Sequence, residues 1–250
     1  MMNTAHFHHQ RYSIGKSDIV TLPPFRGYPQ RVYSATNEEN PFSLYNKHCK
    51  KIVNYNYDYE KDIVIKGTLD EALEYWLVQH FTIADKIEVQ ELIAGLVSEV
   101  FLTKDGQRVS INNVGFGASQ IVPVLYKVLI SAQTQQCIVD EPEIHLHPSM
   151  QSKLADFFYT LARTGKKIFL ETHSEYLIDK LVFLKLKHED DNRTASMYWV
   201  KKNGPASEIT EIEYDEMGFL VNPPNEFLTE KTKLVEMLAD IRIERLQNEE

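Results

Sequence analysis

Cys137-Ile138-Val139-Asp140-Glu141-Pro142-Glu143 is the stretch on which the reading of this chain turns. Several apolar residues end in two adjacent acids, the pattern of a strand's carboxyl edge. Gln136 to Asp140 therefore reads as a buried strand with Asp140 and Glu141 at its carboxyl edge. In open α/β sheets, ligands bind at that edge. Nucleotide hydrolysis needs a carboxylate to hold Mg2+, usually through water, and a second group to orient or deprotonate the attacking water. Adjacent residues at a strand end diverge with the pleat, so one acid can face a metal while the next faces a terminal phosphate. Asp140 takes the metal role and Glu141 the role of base. An acidic turn after a strand is also a common structural feature, so the motif alone decides nothing.

It does not stand alone. Leu154, Phe157, Phe158 and Leu161 have helical spacing, and Gly165 supplies a stop. Lys167 to Glu171 is a second apolar strand, followed by Glu171-Thr172-His173-Ser174 and a helix over Tyr176 to Leu186. A histidine at a strand's carboxyl end can donate a hydrogen bond to a terminal phosphate. His173 is thus a second catalytic candidate, although a lone histidine there is more often structural. The strand–helix–strand–helix order predicts a parallel sheet with crossover helices.

Upstream, Val114-Gly115-Phe116-Gly117-Ala118-Ser119-Gln120 precedes a helix read as Ile121 to Ser131, with Val124, Leu125, Val128 and Leu129 on one face. Small residues let backbone N–H groups approach an anion, and a helix N-terminus adds a favourable dipole. Gly115, Gly117, Ser119 and Gln120 are the nucleotide-binding candidates, with Ser119 as helix cap. The plain alternative is an N-cap beside flexible glycines.

In this order the motifs resemble the ATPase heads of OLD-family and SMC-like proteins, the ABC-type or AAA-family ATPases of prokaryotes. In that resemblance Gly115 to Gln120 corresponds to the ABC signature segment and Cys137 to Glu141 to Walker B. Pro142 to Pro148 corresponds to the D-loop region, and Glu171 to Ser174 to the switch-histidine segment. Leu22-Pro23-Pro24-Phe25-Arg26-Gly27-Tyr28-Pro29-Gln30-Arg31-Val32-Tyr33 resembles the group's Pro-Leu-Arg and Pro-x-Arg-x-Tyr element, with Phe25 where Leu is usual. Ser207 to Phe227 is similar to the start of a C-terminal domain of unknown function found in one subgroup. The resemblance implies a partial P-loop ATPase head of α/β class, with ATP and Mg2+ as cofactors. It also implies a homo- or hetero-oligomer in which ATP lies between the phosphate loop of one head and the signature segment of another. DNA as a target of the whole complex, or a role in prokaryotic defence, is implied by the resemblance only.

One expected part is missing from these residues. The phosphate loop, Gly-x-x-x-x-Gly-Lys-Ser/Thr after a strand, should lie upstream of the Pro-Leu-Arg-like element. Gly15-Lys16-Ser17 fits its end, but Gln10 occupies the first glycine position, no apolar strand precedes it, and Pro23-Pro24 interrupts the helix that should follow. The expectation is a half-head that hydrolyses ATP only when another chain or segment provides the loop, and that is inactive alone. Two rival readings stay open: a degenerate regulatory partner that keeps the fold, and a nuclease-type metal site built from Asp140, Glu141, Glu143 and His147.

Composition narrows the field. A 250-residue chain with 43% hydrophobic and 25% charged residues is ordinary for a globular protein. The formal net charge of −9 argues against a generally basic nucleic-acid binder. Cys49 and Cys137 make no disulfide framework, and no apolar run is long enough to cross a bilayer, so a cytoplasmic address and no membrane partner are expected. His6, His8 and His9 form at most a weak metal tract, and His145-x-His147 at most a metal pair without a third ligand.

The remaining segments set the domain plan. Residues 34–67 are polar and rich in Asn and Tyr, read as an irregular insertion. Thr68 with Glu71 is a capping-box pattern opening a helix with a stripe of Leu73, Trp76, Leu77 and His80. Hairpins are expected around Asp105-Gly106 and Asn203-Gly204. A link at Pro223-Pro224 leads to a last amphipathic helix from about Thr229, read as docking on protein rather than on membrane. The predicted division is an ATPase lobe over 1–195 and a small C-terminal domain over 196–250.

Overall fold

The computed structural model describes residues 18–24, 33–34, 48–93, 97–188 and 195–221, together with Met237 and Ala239. In chain order the strands and helices begin with β1 (Ile19–Leu22), β2 (Tyr33–Ser34), β3 (Ile52–Asp58) and β4 (Ile63–Thr68). Helix α1 (Leu69–Glu74) runs on into a π turn, Tyr75–His80, before β5 (Lys86–Ile93), β6 (Val97–Lys104) and β7 (Gln107–Ser110). Helix α2 (Phe116–Ile130), β8 (Gln136–Asp140), α3 (Pro148–Arg163), β9 (Lys167–Glu171) and α4 (Glu175–Lys187) follow. The last strands are β10 (Met197–Asn203), β11 (Ala206–Tyr214) and β12 (Leu220–Val221).

The predicted parallel sheet is present, in the order β1-β8-β9. β8 runs parallel to both neighbours, with Val20 opposite Cys137 and Val139 opposite Leu170. A parallel β8–β9 pair needs a crossover, and α3 provides it. Val139 and the α3 residues Leu154, Phe157 and Leu161 are fully buried. Helix α2 is buried on nearly every side, with Ile121, Val122, Val124, Leu125, Val128 and Leu129 at 0% exposure. It ends at Ser131, and Gly165, at φ 93°, ends the turn after α3.

The other strands form antiparallel sheets. β6 pairs with β2, β5 and β7, and the β6–β7 turn has Asp105 and Gly106 at φ 49° and 74°, the left-handed pair that a tight hairpin requires. β10, β11 and β12 form a separate antiparallel sheet, whose first turn has Gly204 at φ 60°. The residues up to Met150 with Thr160–His173 form one compact unit, and Gln151–Tyr159 with the residues from Ser174 onward form another. Among the described residues no helix is long and apolar enough to cross a membrane.

Two expectations change. Residues 52–68 are not irregular: β3 and β4 pair as a hairpin with a register shift between Asn54 and Asn56. Tertiary contacts stabilise its polar strands: Trp76 Nε1 donates to the Tyr55 carbonyl at 2.9 Å, and the Arg163 guanidinium lies 5.0 Å from the Tyr57 ring centre. The capping box that follows is formed as expected, with Thr68 Oγ1 accepting from the Glu71 amide and Glu71 Oε2 accepting from the Thr68 amide. The second change is the start of α2, at Phe116 rather than Ile121. Residues 25–32 of the Pro-Leu-Arg-like element, the histidine-rich start, Pro223-Pro224 and nearly all of the final helix lie outside the described residues.

Candidate functional site

β8 and β9 end at the same level. Asp140 lies opposite Glu171, and the chain leaves β8 with the Glu141 amide donating to the Glu171 carbonyl at 2.8 Å. That register places the residues after each strand side by side at the carboxyl edge. His173 Nε2 stands 3.6 Å from Glu141 Oε1. The two side chains are 78% and 29% exposed, so the pair is open to a ligand and contributes little to stability by itself. Asp140 is half-buried on the last strand position.

The turn after β8 is held in unusual backbone. Glu141 has φ 42° and His145 φ 65°, left-handed conformations that cost on the order of 1–3 kcal/mol each in residues with a Cβ. Two backbone bonds close the turn, Ile144 N to Glu141 O at 3.2 Å and Leu146 N to Glu143 O at 3.0 Å. His147 then caps α3, its Nδ1 accepting from the Ser149 amide at 3.3 Å, with Pro148 in the first turn where no amide is needed. His147 is thus occupied as a cap. Among the described residues no group of three or more His, Cys, Asp or Glu could hold a metal ion, so neither the His145–His147 pair nor the nuclease-type cluster gains support.

The glycine segment behaves differently from a loop in front of a helix. Gly115 is the exposed N-cap of α2, without a side-chain cap bond, and a Cβ there would meet nothing within 4 Å. Gly117 is inside the helix, and a Cβ on it would stand 2.7 Å from the His145 carbonyl oxygen. The early start of α2 sets Gly117 against the turn that follows β8. Ser119 is not the cap: it lies within the helix, its amide 3.4 Å from the Gly115 carbonyl. Ser119 and Gln120 are 4% and 3% exposed. Asp140, Glu141 and His173 are brought together, Gly117 joins them through the His145 backbone, and Gly115 leaves the first N–H groups of α2 without intrahelical acceptors.

Sequence reasoning gave Glu143 no part of its own in the nucleotide site. Its Oε1 accepts from Thr172 Oγ1 and from the His173 amide, both at 2.7 Å. The available signal was an acid between Pro142 and Ile144, since a charge next to a buried proline must find donors.

At the amino end of the same strands, Lys166 secures the end of α2. Its Nζ donates to the carbonyls of Leu129 at 3.1 Å and Ser131 at 2.6 Å, a cation at a helix C-terminus. Burial brings its pKa down to about 8. Burial pushes the neighbouring Cys137 thiol up, while its bond to Ser131 Oγ at 3.1 Å works in the opposite direction.

The family model described as AAA ATPase domain matches residues 31–178, more than half of the chain. No curated protein matches. Among solved structures, one from work on ATP-driven dimerization and DNA-stimulated activation of SMC ATPases superposes with a TM-score of 0.40 at 11% identity, covering 69% of this chain and 92% of that one. An Smc head domain with an extended coiled coil, bound to the C-terminal domain of ScpA and derived from Pyrococcus furiosus, gives 0.41 at 11% identity, covering 69% of this chain and 38% of that one. On the match to residues 31–178, this chain belongs to the AAA ATPase domain family.

Proposed function

We propose that this chain supplies the hydrolytic half of an ATP site, with Asp140 holding Mg2+, Glu141 acting as base and His173 contacting the terminal phosphate. The observation that carries this reading is the approach of Glu141 and His173 to 3.6 Å at the edge where β8 and β9 end together. The donor set fits the cofactor. Mg2+ in nucleotide sites takes one or two carboxylates with water and phosphate oxygens completing its shell. One strand-end aspartate matches that demand better than it matches an all-protein metal site. ATP with its ion would supply the electrophilic phosphorus and most of the charge to be neutralised.

The chain's own residues have separable tasks. Glu141 orients the attacking water and takes its proton. His173 has one ring nitrogen towards Glu141 and the other left for a phosphate oxygen, an arrangement that stabilises charge developing there. Gly115 and the open N–H groups of the first turn of α2 are proposed to face the nucleotide of an opposing head, while Gly117, packed on His145, and the buried Ser119 and Gln120 hold that turn in place. The 250 residues hold no Gly-x-x-x-x-Gly-Lys-Ser/Thr stretch, so the phosphate loop must come from another chain or segment of the assembly. Coupling of head closure to DNA or to a defence effector is the role that the resemblance to OLD and SMC-like ATPases implies.

The test has two arms. The pure 250-residue chain is expected to release negligible phosphate from Mg-ATP, because its sequence holds no phosphate-loop stretch to supply the loop amides and lysine. The complex recovered from its native host by a tag on this chain is expected to hydrolyse ATP. Glu141→Gln should leave ATP bound while hydrolysis falls by a factor on the order of 10²–10⁴. Hydrolysis by the complex that is indifferent to Glu141→Gln would sink the assignment, and binding without turnover in the unmodified complex would favour the regulatory alternative.

A further inference from the structure

Glu143 is the only carboxylate among the buried described residues, at 7% exposure. Its Oε1 takes the Thr172 hydroxyl and the His173 amide, while Oε2 is buried and takes no hydrogen bond from any described residue. A buried carboxylate with one oxygen unused is costly to keep, and such groups persist where something depends on them. What Oε1 does is therefore informative. Both of its bonds fall on the two residues that carry the chain off β9. Glu143 itself sits in the turn that begins at Glu141, pinned by the Ile144 and Leu146 amides. One carboxylate thus ties the turn bearing Glu141 to the segment bearing His173.

We propose that Glu143 is the positioning residue of the site: by clamping Thr172 and the His173 backbone to the turn after β8, it sets where His173 stands relative to Glu141. It acts through His173 and needs no contact with nucleotide. The proposal rests on the ATPase reading of Glu141 and His173, but the clamp can be tested apart from that reading.

The first experiment uses no activity. In the full ¹⁵N-labelled chain at one fixed pH, Glu141→Gln is expected to shift the His173 imidazole resonances. In a Glu143→Ala background that response should disappear. In a Glu143→Gln background, which keeps an oxygen acceptor of the same reach, it should persist. A response that survives Glu143→Ala overturns the proposal. If Glu143→Ala does not fold, Thr172→Ala decides, since it removes one of the two bonds: a reduced response supports the clamp and an unchanged one overturns it.

The second experiment uses the native complex. Glu143→Ala should lower kcat on the order of 10²-fold, the cost of displacing a catalytic group by about 1 Å, with the KM for ATP within about twofold. It should add nothing once His173 is already alanine, and Glu143→Gln should restore most of the rate. A loss that simply multiplies with that of His173→Ala would mark Glu143 as structural only and overturn the proposal. If the unmodified complex does not hydrolyse ATP, the ATPase reading fails while the resonance experiment still decides the clamp.

Discussion

Gly117 lies against His145 so closely that a Cβ on the glycine would stand 2.7 Å from the histidine's carbonyl oxygen. The obstacle is backbone, in a turn already held by two left-handed residues, so it cannot move aside cheaply. The first turn of α2 and the turn after β8 are thereby set in contact by the absence of one methyl group.

Gly117→Ala should therefore destabilise the chain, although alanine is the better helix former by about 1 kcal/mol. Overpacking against fixed backbone costs about 1–3 kcal/mol, so a net loss of up to about 2 kcal/mol is expected in urea denaturation. Gly115→Ala is the comparison: nothing lies within 4 Å of its Cβ position, so it should lose only the preference for glycine over alanine at an N-cap, roughly 0.5–1 kcal/mol. An alanine at 117 that stabilises the protein would show that the close approach does not exist in solution.

Lys166 gives a prediction with a definite pH window. Its folded pKa, brought down by burial to about 8, lies below the unsituated value of 10.5. Below pH 8 both folded and unfolded chains carry the charge, and the burial penalty is present in full. Between pH 8 and 10.5 the unfolded chain binds more protons than the folded one, so stability rises with pH. Measured against Lys166→Met, the parent should gain about 3 kcal/mol across that window, at about 1.4 kcal/mol per pKa unit. The Cys137 thiol interacts with the Lys166 charge, so both proteins are compared in a Cys137→Ala background. A flat difference curve from chemical denaturation would mean that Lys166 is not desolvated as the structure has it.

How much of this could be read from residues alone depends on whether the signal was local. β8, β9, α3 and α4 follow from apolar runs and helical spacing, and the β6–β7 turn follows from Asp105-Gly106. That Asp140, Glu141 and His173 stand where β8 and β9 end was legible, because a strand end is a local feature. The β3–β4 hairpin was not, since Asn54, Asn56 and the tyrosines carry no apolar alternation, and what orders them is Trp76 and Arg163 from elsewhere in the chain. The early start of α2 was hidden by two glycines with poor helix propensity, whose value lies in a tertiary contact. Glu143 was hidden for a related reason. Its donors are 29 and 30 residues away and reach it only because β8 and β9 pair in that register.

Glu141 itself supplies the last prediction. At φ 42° it occupies a conformation that glycine adopts freely and other residues adopt at a cost of about 1–2 kcal/mol. At an ordinary position alanine is the more stabilising of the two small residues, because glycine loses more freedom on folding. Here the order should invert, with Glu141→Gly more stable than Glu141→Ala by about 1 kcal/mol in urea denaturation. Both lack the carboxylate beside His173, so neither should support hydrolysis in the native complex. A glycine variant that folds at least as well as the parent and turns over no ATP would show that the strained backbone is retained for the carboxylate it presents. If Glu141→Ala proves the more stable, the left-handed turn is not populated in solution, and the geometry that sets Glu141 beside His173 falls with it.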